Sequence, residues 1–172
     1  MLSSTEDNPM ETPDDDSDHV AVALSYIESV SVVWVPPVAE QEMLDSLMGQ
    51  LSDMGVKLVP LNNVVMGSMV VARYTEDMEL YRATVVQVRE NKATVLFVDF
   101  GNYQVCQTSS LYNLPTELTG DKVAPVAIKV VIPGGEKWED TEENREVVEA
   151  LLEKENLNLN LKMGIFCVHG VF

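Results

Sequence analysis

The sequence predicts a mainly β, α+β fold in which a small antiparallel barrel is inserted into a second, split β-structure. Three observations predict it. Residues 66–102, MGSMVVARYTEDMELYRATVVQVRENKATVLFVDFGN, hold three consecutive β-type runs, Met69 to Tyr74, Tyr81 to Val88 and Ala93 to Phe100. Each is rich in β-branched and aromatic residues, and polar, turn-prone clusters separate them. The valine-rich runs before this stretch and the β and α patterns after it are each too thin to stand alone, since an isolated two-stranded hairpin is marginal in water. They must complete one another around the central barrel.

Taken in order, residues 1–18 (MLSSTEDNPMETPDDDSD) carry seven acids and no Lys or Arg. With little to bury and much like charge, they predict a disordered acidic tail. Val20 to Tyr26 and Ser29 to Val35 read as two strands, with the turn at Glu28-Ser29 and a stop at Pro36-Pro37. A helix follows over Ala39 to Met54, because Met43, Leu44, Leu47, Met48, Leu51 and Met54 keep the three-and-four spacing of one apolar face. Gly55 stands where a helix C-terminal cap belongs. Leu58 to Val65 is extended and leads into the barrel. Tyr103 to Cys106 pairs back as a fourth barrel strand, and Ser109 to Leu114 reads as a tight turn.

Beyond Pro115, Val123 to Ile132 reads as a strand ended by Pro133-Gly134-Gly135. Asp140 followed by Glu143 resembles a capping box opening a helix over Thr141 to Glu153, with Val147, Val148, Leu151 and Leu152 as its apolar face. Leu157 to Leu161 alternates strictly, as a half-buried strand does, and Gly164 to Phe172 forms a last strand.

Composition narrows the function. The formal charge is -17, from 28 acidic and 11 basic residues, and 46% of the chain is hydrophobic. Nucleic acid is disfavoured as the main partner, because phosphate binding needs a basic face. Cationic partners such as arginine-rich peptides are favoured. Cys106 and Cys167 lie far apart and lack metal-ligand spacing, so neither a zinc site nor a disulfide framework is indicated, and a reducing compartment is the default. No apolar run reaches the roughly 18 residues of a membrane span.

The candidate site lies at the strand ends of the barrel. Four aromatics, Tyr74, Tyr81, Phe97 and Phe100, fall there, and Asn102 follows the turn glycine Gly101. Barrel closure would bring them into one pocket with aromatic walls and a single amide. Asp99 reads as a turn stabiliser or rim charge rather than a catalytic acid, and Arg82 and Arg73 as surface or interlayer pairs, with Asp99 within reach of Arg82. Cys167-Val168-His169 has no third partner for catalysis, and Gly134-Gly135 is not followed by the Lys-Ser/Thr of a phosphate cradle. No cofactor or metal is implied, and the chain reads as a binding module rather than an enzyme.

These motifs resemble the Tudor domain family. Ala72-Arg73-Tyr74, Leu80-Tyr81-Arg82-Ala83-Thr84-Val85 and Phe97-Val98-Asp99-Phe100-Gly101-Asn102 correspond to its three conserved-pattern segments. The flanks, including Val123-Ala124-Pro125-Val126-Ala127-Ile128 and Trp138, are similar to the extended Tudor arrangement. The resemblance implies an SH3-like Tudor barrel over 60–114, a linker helix over 39–56, and a split staphylococcal-nuclease-like oligonucleotide-binding (OB) subdomain over 19–38 and 115–172. It further implies binding of symmetrically dimethylated arginine in Arg-Gly or Arg-Ala motifs of a Piwi-family partner. Tyr74, Tyr81, Phe97 and Phe100 would form the cage, and Asn102 would hydrogen-bond the guanidinium. An adaptor role in small-RNA (piRNA) silencing, other Tudor-family or granule proteins as partners, and a cytoplasmic, perinuclear germ-granule location follow from the same resemblance. Two departures stand out: Leu80 replaces the usual tryptophan, and Glu76-Asp77-Met78-Glu79 replaces the usual Asp-Gly turn. Both are expected to alter the rim and not the walls. The competing readings are a scaffold that binds an unmethylated segment or a second copy of itself, and an RNA-binding or nuclease remnant. The nuclease reading is weakened because the nuclease-like residues 115–172 have Arg145 as their single arginine.

Overall fold

The computed structural model describes residues 19–153, 157–160 and 165–168. The expected acidic tail at 1–18, the last residues of the final strand and His169 lie outside the described residues.

A five-stranded antiparallel sheet curls into the central barrel. Its strands are β4 (Met69–Arg73), β5 (Leu80–Arg89), β6 (Lys92–Phe97), β7 (Tyr103–Gln107) and β8 (Leu111–Asn113), in the order β7-β6-β5-β4-β8. The alternation seen in the sequence places Val70, Ala72, Ala83, Val85, Ala93, Val95, Phe97 and Leu111 in its interior. The residues expected to form a tight turn at 109–114 instead make a short 3-10 turn, Thr108–Ser110, and then β8. Pairing with β4, at Val70↔Asn113 through Ala72↔Leu111, supplies the hydrogen bonds that so short a run cannot justify by pattern alone. Leu61 N–H donates to the Leu111 carbonyl at 3.0 Å, which lays the extended approach segment against the same edge.

Helix α1 (Gln41–Asp53) buries Leu44, Leu47 and Leu51 and leaves Met43, Met48 and Met54 half-buried. Leu47 and Leu51 pack on Val71, Leu80 and Leu118, outside the barrel. Leu80 is therefore a core residue under the helix, 3% exposed, and not part of a binding rim as its motif position suggested. Gly55 does not serve as a left-handed cap; Met54 closes the helix in right-handed conformation and Gly55 begins a 3-10 turn.

The flanks fold together into the second body. Strands β1 (His19–Ala21), β10 (Leu157–Asn160) and β11 (Ile165–Val168) form one antiparallel sheet, while β2 (Tyr26–Ser29), β3 (Val32–Val35) and β9 (Ile128–Val131) form another. The segment after β1 pairs with the end of β3, Ala23 N–H donating to the Pro36 carbonyl at 3.0 Å. One core of Val22, Val33, Val35, Val130, Leu152 and Leu157 serves both sheets and helix α2 (Glu142–Glu153). The β2–β3 turn falls at Val30-Ser31, two residues after the sequence-based placement. Thr141, not Asp140, caps α2, its Oγ1 accepting from Asn144 N–H at 3.2 Å. Asp140 instead accepts from Val30 N–H at 3.0 Å and pairs with Arg145 at 2.6 Å, tying the helix start to the β2–β3 turn.

The two bodies are joined by a buried ion pair. Arg82 of β5 is fully buried and Asp99, in the turn after β6, is 3% exposed. The guanidinium meets the carboxylate through two bonds, Nε to Oδ2 at 2.9 Å and Nη2 to Oδ1 at 2.6 Å. Its remaining donors reach the carbonyls of Leu118 at 2.9 Å, Val123 at 2.6 Å and Ala124 at 3.2 Å. Asp99 Oδ1 also accepts from Val126 N–H at 3.2 Å. Of the two expected roles of Asp99, turn stabiliser and rim charge, the structure keeps the first, with the expected Arg82 pair. The strand expected from Val123 begins only at Ile128, because Arg82 takes the carbonyls of Val123 and Ala124.

Removing one member of a buried pair leaves the other uncompensated, at a cost of about 3–5 kcal/mol. Asp99→Asn and Arg82→Lys are each expected to lower the unfolding free energy by about 3 kcal/mol, since lysine cannot reproduce the five-donor fork; urea unfolding measures both. Gly101 has φ of +93°, and a Cβ there would lie 2.1 Å from Trp34 Cγ. Gly101→Ala is expected to cost about 2 kcal/mol or more and to show as a lowered thermal midpoint.

Candidate functional site

All five sequence-predicted residues line one pocket of about 190 Å3. Tyr74 follows β4, Tyr81 opens β5 and Phe97 ends β6, while Phe100 and Asn102 sit in the turn between β6 and β7. That turn folds back on Phe97: Gly101 N–H donates to the Phe97 carbonyl at 2.7 Å, and Phe97 N–H donates to the Asn102 carbonyl at 2.9 Å. The positive φ of Gly101 permits this reversal.

The rings meet at near right angles. Centroids lie 5.4 Å apart for Tyr74–Phe97, 5.6 Å for Tyr81–Phe97 and 5.2 Å for Tyr81–Phe100, with interplanar angles of 72° to 89°. Tyr74 and Tyr81 stand 6.2 Å apart at 86°. Edge-to-face contacts are the favourable arrangement for aromatic quadrupoles. Phe97 is 1% exposed and belongs to the barrel core, so it forms the base of the pocket, whereas Tyr74, Tyr81 and Phe100 are half-buried. The Asn102 side chain makes no hydrogen bond among the described residues and keeps both donors and acceptor open.

Three further residues line the pocket that sequence reasoning did not select: Ser25, Tyr26 and Asp77. Ser25 and Tyr26 come from the second body, and the Ser25 hydroxyl donates to the Phe100 carbonyl. No local pattern in a valine-rich run points to a pocket that another part of the chain completes. Asp77 lies in the turn whose departure from Asp-Gly was noted, and that departure is the one signal that pointed to it. Its Oδ2 accepts from the Tyr81 hydroxyl at 2.5 Å, and its Oδ1 accepts from Glu79 N–H at 2.9 Å. Burial, reinforced by the hydrogen bond and charge of Asp77, pushes the Tyr81 phenol well above its ordinary value. The hydroxyl therefore stays protonated and donating.

Behind the turn, Trp34 packs under Gly101, and its indole N–H donates to Glu28 at 2.8 Å. Lys129 joins the same carboxylate at 3.0 Å and lies 5.5 Å from the Trp34 ring centroid. Cys106, the half-buried cysteine among the described residues, has its thiol pushed up by burial and lies on the barrel wall away from the pocket lining. No group of three or more His, Cys, Asp or Glu among the described residues is arranged to hold a metal ion, and no helix there is long and apolar enough to cross a membrane.

Comparisons with known proteins agree with this architecture. The Tudor domain family profile matches residues 15–134. Protein tudor of Drosophila melanogaster is 30% identical over 124 residues, which is 72% of this chain but 5% of that protein's length. Among solved structures, the human TDRD1 extended Tudor domain, in complex with a symmetrically dimethylated peptide, superposes with a TM-score of 0.71 at 22% identity, covering 83% of this chain and 72% of that one. The extended Tudor domain of BmPAPI in complex with sDMA superposes with a TM-score of 0.70 at 25% identity, covering 79% and 70%. The barrel, the joining helix and the split nuclease-like body are thus those of an extended Tudor domain, and the chain belongs to the Tudor domain family.

Proposed function

We propose that this domain is a methylarginine reader: a binding module that takes the symmetrically dimethylated arginine side chain of a partner's tail into the pocket at the barrel end. The observation that carries the reading is the convergence of Tyr74, Tyr81, Phe97 and Phe100 with the open amide of Asn102 on one small pocket. At about 190 Å3 it is smaller than the 300–1,000 Å3 typical of sites for drug-sized ligands, and suits a single side chain. Aromatic faces attract a planar, weakly hydrated cation by about 0.5–2 kcal/mol per contact. Methylation replaces N–H donors by apolar surface, which favours a dry cage over water. Asn102 can accept a remaining guanidinium N–H, a bond that trimethyllysine cannot supply. Support also comes from the BmPAPI domain, whose structure holds sDMA.

The partner we infer is an Arg-Gly or Arg-Ala repeat of a Piwi-type protein, with this domain acting as an adaptor in piRNA silencing in cytoplasmic germ granules. The net charge of -17 suits a basic tail over nucleic acid. In this division of labour, residues 60–114 supply the cage, residues 39–56 join the bodies, and residues 19–38, which share the second body with 115–172, complete the pocket rim through Ser25 and Tyr26.

Calorimetric titration with an Arg-Gly peptide, unmodified or symmetrically dimethylated, tests the reading. The dimethylated peptide is expected to bind at least about tenfold more tightly, and equal binding of the two would favour a scaffold for unmethylated segments instead. Phe100→Ala is expected to weaken the dimethylated complex by about tenfold, a little over 1 kcal/mol. It is a cleaner probe than Phe97→Ala, because Phe97 is also barrel core. Asn102→Ala is expected to retain the fold by circular dichroism while losing discrimination against a trimethyllysine peptide.

A further inference from the structure

We infer that Asp77 is a specificity-determining residue of this pocket, a fixed counter-charge that selects cations bearing N–H groups. The inference rests on the methylarginine reading and adds to it a recognition element outside the cage. Asp77 carries the one formal charge among the pocket-lining residues. No ion pair neutralises it among the described residues. Its position is held tightly. Oδ1 accepts from Glu79 N–H and Oδ2 from the Tyr81 hydroxyl. The turn around it is closed by Tyr74 N–H to the Glu79 carbonyl at 2.9 Å and Met78 N–H to the Tyr74 carbonyl at 2.8 Å. Met78 takes φ of +65°, and Arg73 donates to its carbonyl.

Each carboxylate oxygen has two acceptor sites, so one remains free on each after these bonds. A guanidinium entering the pocket meets a preorganised carboxylate as well as the Asn102 amide. A quaternary ammonium gains the charge attraction alone. Asp77 lies in an exposed turn, so its attraction is screened by salt, unlike the contacts with the buried base of the cage.

The test is titration of the full chain with the dimethylated Arg-Gly peptide at about 0.05 M and about 0.5 M salt, using wild type, Asp77→Asn and Glu76→Gln. Asparagine keeps Oδ1 as the acceptor for Glu79 N–H and puts its NH2 group opposite the Tyr81 hydroxyl, which then accepts instead of donating; unchanged thermal midpoints verify that the turn persists. Glu76→Gln removes the same charge from the same turn at a residue that does not line the pocket. Asp77→Asn is expected to bind about fivefold more weakly at low salt, with the gap closing to within about twofold at high salt. Glu76→Gln is expected to stay within about twofold of wild type throughout. Wild-type affinity in Asp77→Asn, an equal loss in Glu76→Gln, or a loss indifferent to salt would overturn the role of Asp77 while leaving the reader function standing. Absence of wild-type binding to the dimethylated peptide would overturn both.

Discussion

The pocket depends on a buried guanidinium that never reaches it. Arg82 places all five of its donors, two on Asp99 and three on the carbonyls of Leu118, Val123 and Ala124. An unpaired charge at so dry a position would be costly, so each bond constrains the others. Asp99 belongs to the turn that carries Phe100 and Asn102, and the three carbonyls belong to the non-strand segment that returns into the second body. One side chain thereby fixes the turn, the barrel strand and the returning chain in a common frame. Arg82 neighbours Tyr81 on β5, so the frame that orients the turn also sets the ring facing it.

Around that frame the functional elements are held from different directions. Tyr74 and Tyr81 are positioned by β4 and β5, paired Ala72↔Tyr81. Phe97 is positioned by the barrel core, and Phe100 by Gly101 above Trp34 and by the Ser25 hydroxyl. The two halves of the molecule thus share one wall of the pocket. Preorganisation of this kind lowers the conformational entropy lost on binding, the usual penalty for a small site.

Much of this was legible in the chain because it rests on local alternation. Met69 to Tyr74, Tyr81 to Val88 and Ala93 to Phe100 read as strands from their pattern, although the third ends at Phe97 and Val98 to Phe100 form the turn; the aromatics met where closure of the barrel required. The helix face of Leu44, Leu47 and Leu51 was equally plain. What was not legible depended on distant partners. Leu111–Asn113 becomes strand because β4 offers an edge, and Val123 to Ala127 loses its strand pairing because Arg82 claims its carbonyls. Thr141 takes the cap because Asp140 is drawn away by Val30 and Arg145. Tyr26 and Ser25 join the pocket through the fold of the second body, which no window around them encodes. Leu80 looked like a rim position by motif, but α1 covers it.

The packing of Gly101 on Trp34 bears on how such a domain travels between proteins. The turn that carries Phe100 and Asn102 rests on an indole contributed from roughly seventy positions earlier in the chain, whose own orientation is set by Glu28 and Lys129. The barrel sequence alone therefore does not encode a finished pocket. Duplication or transplantation that moved only the barrel would deliver the rings without the support beneath the turn. The heritable unit of recognition here is the barrel together with both pieces of the fold that surrounds it.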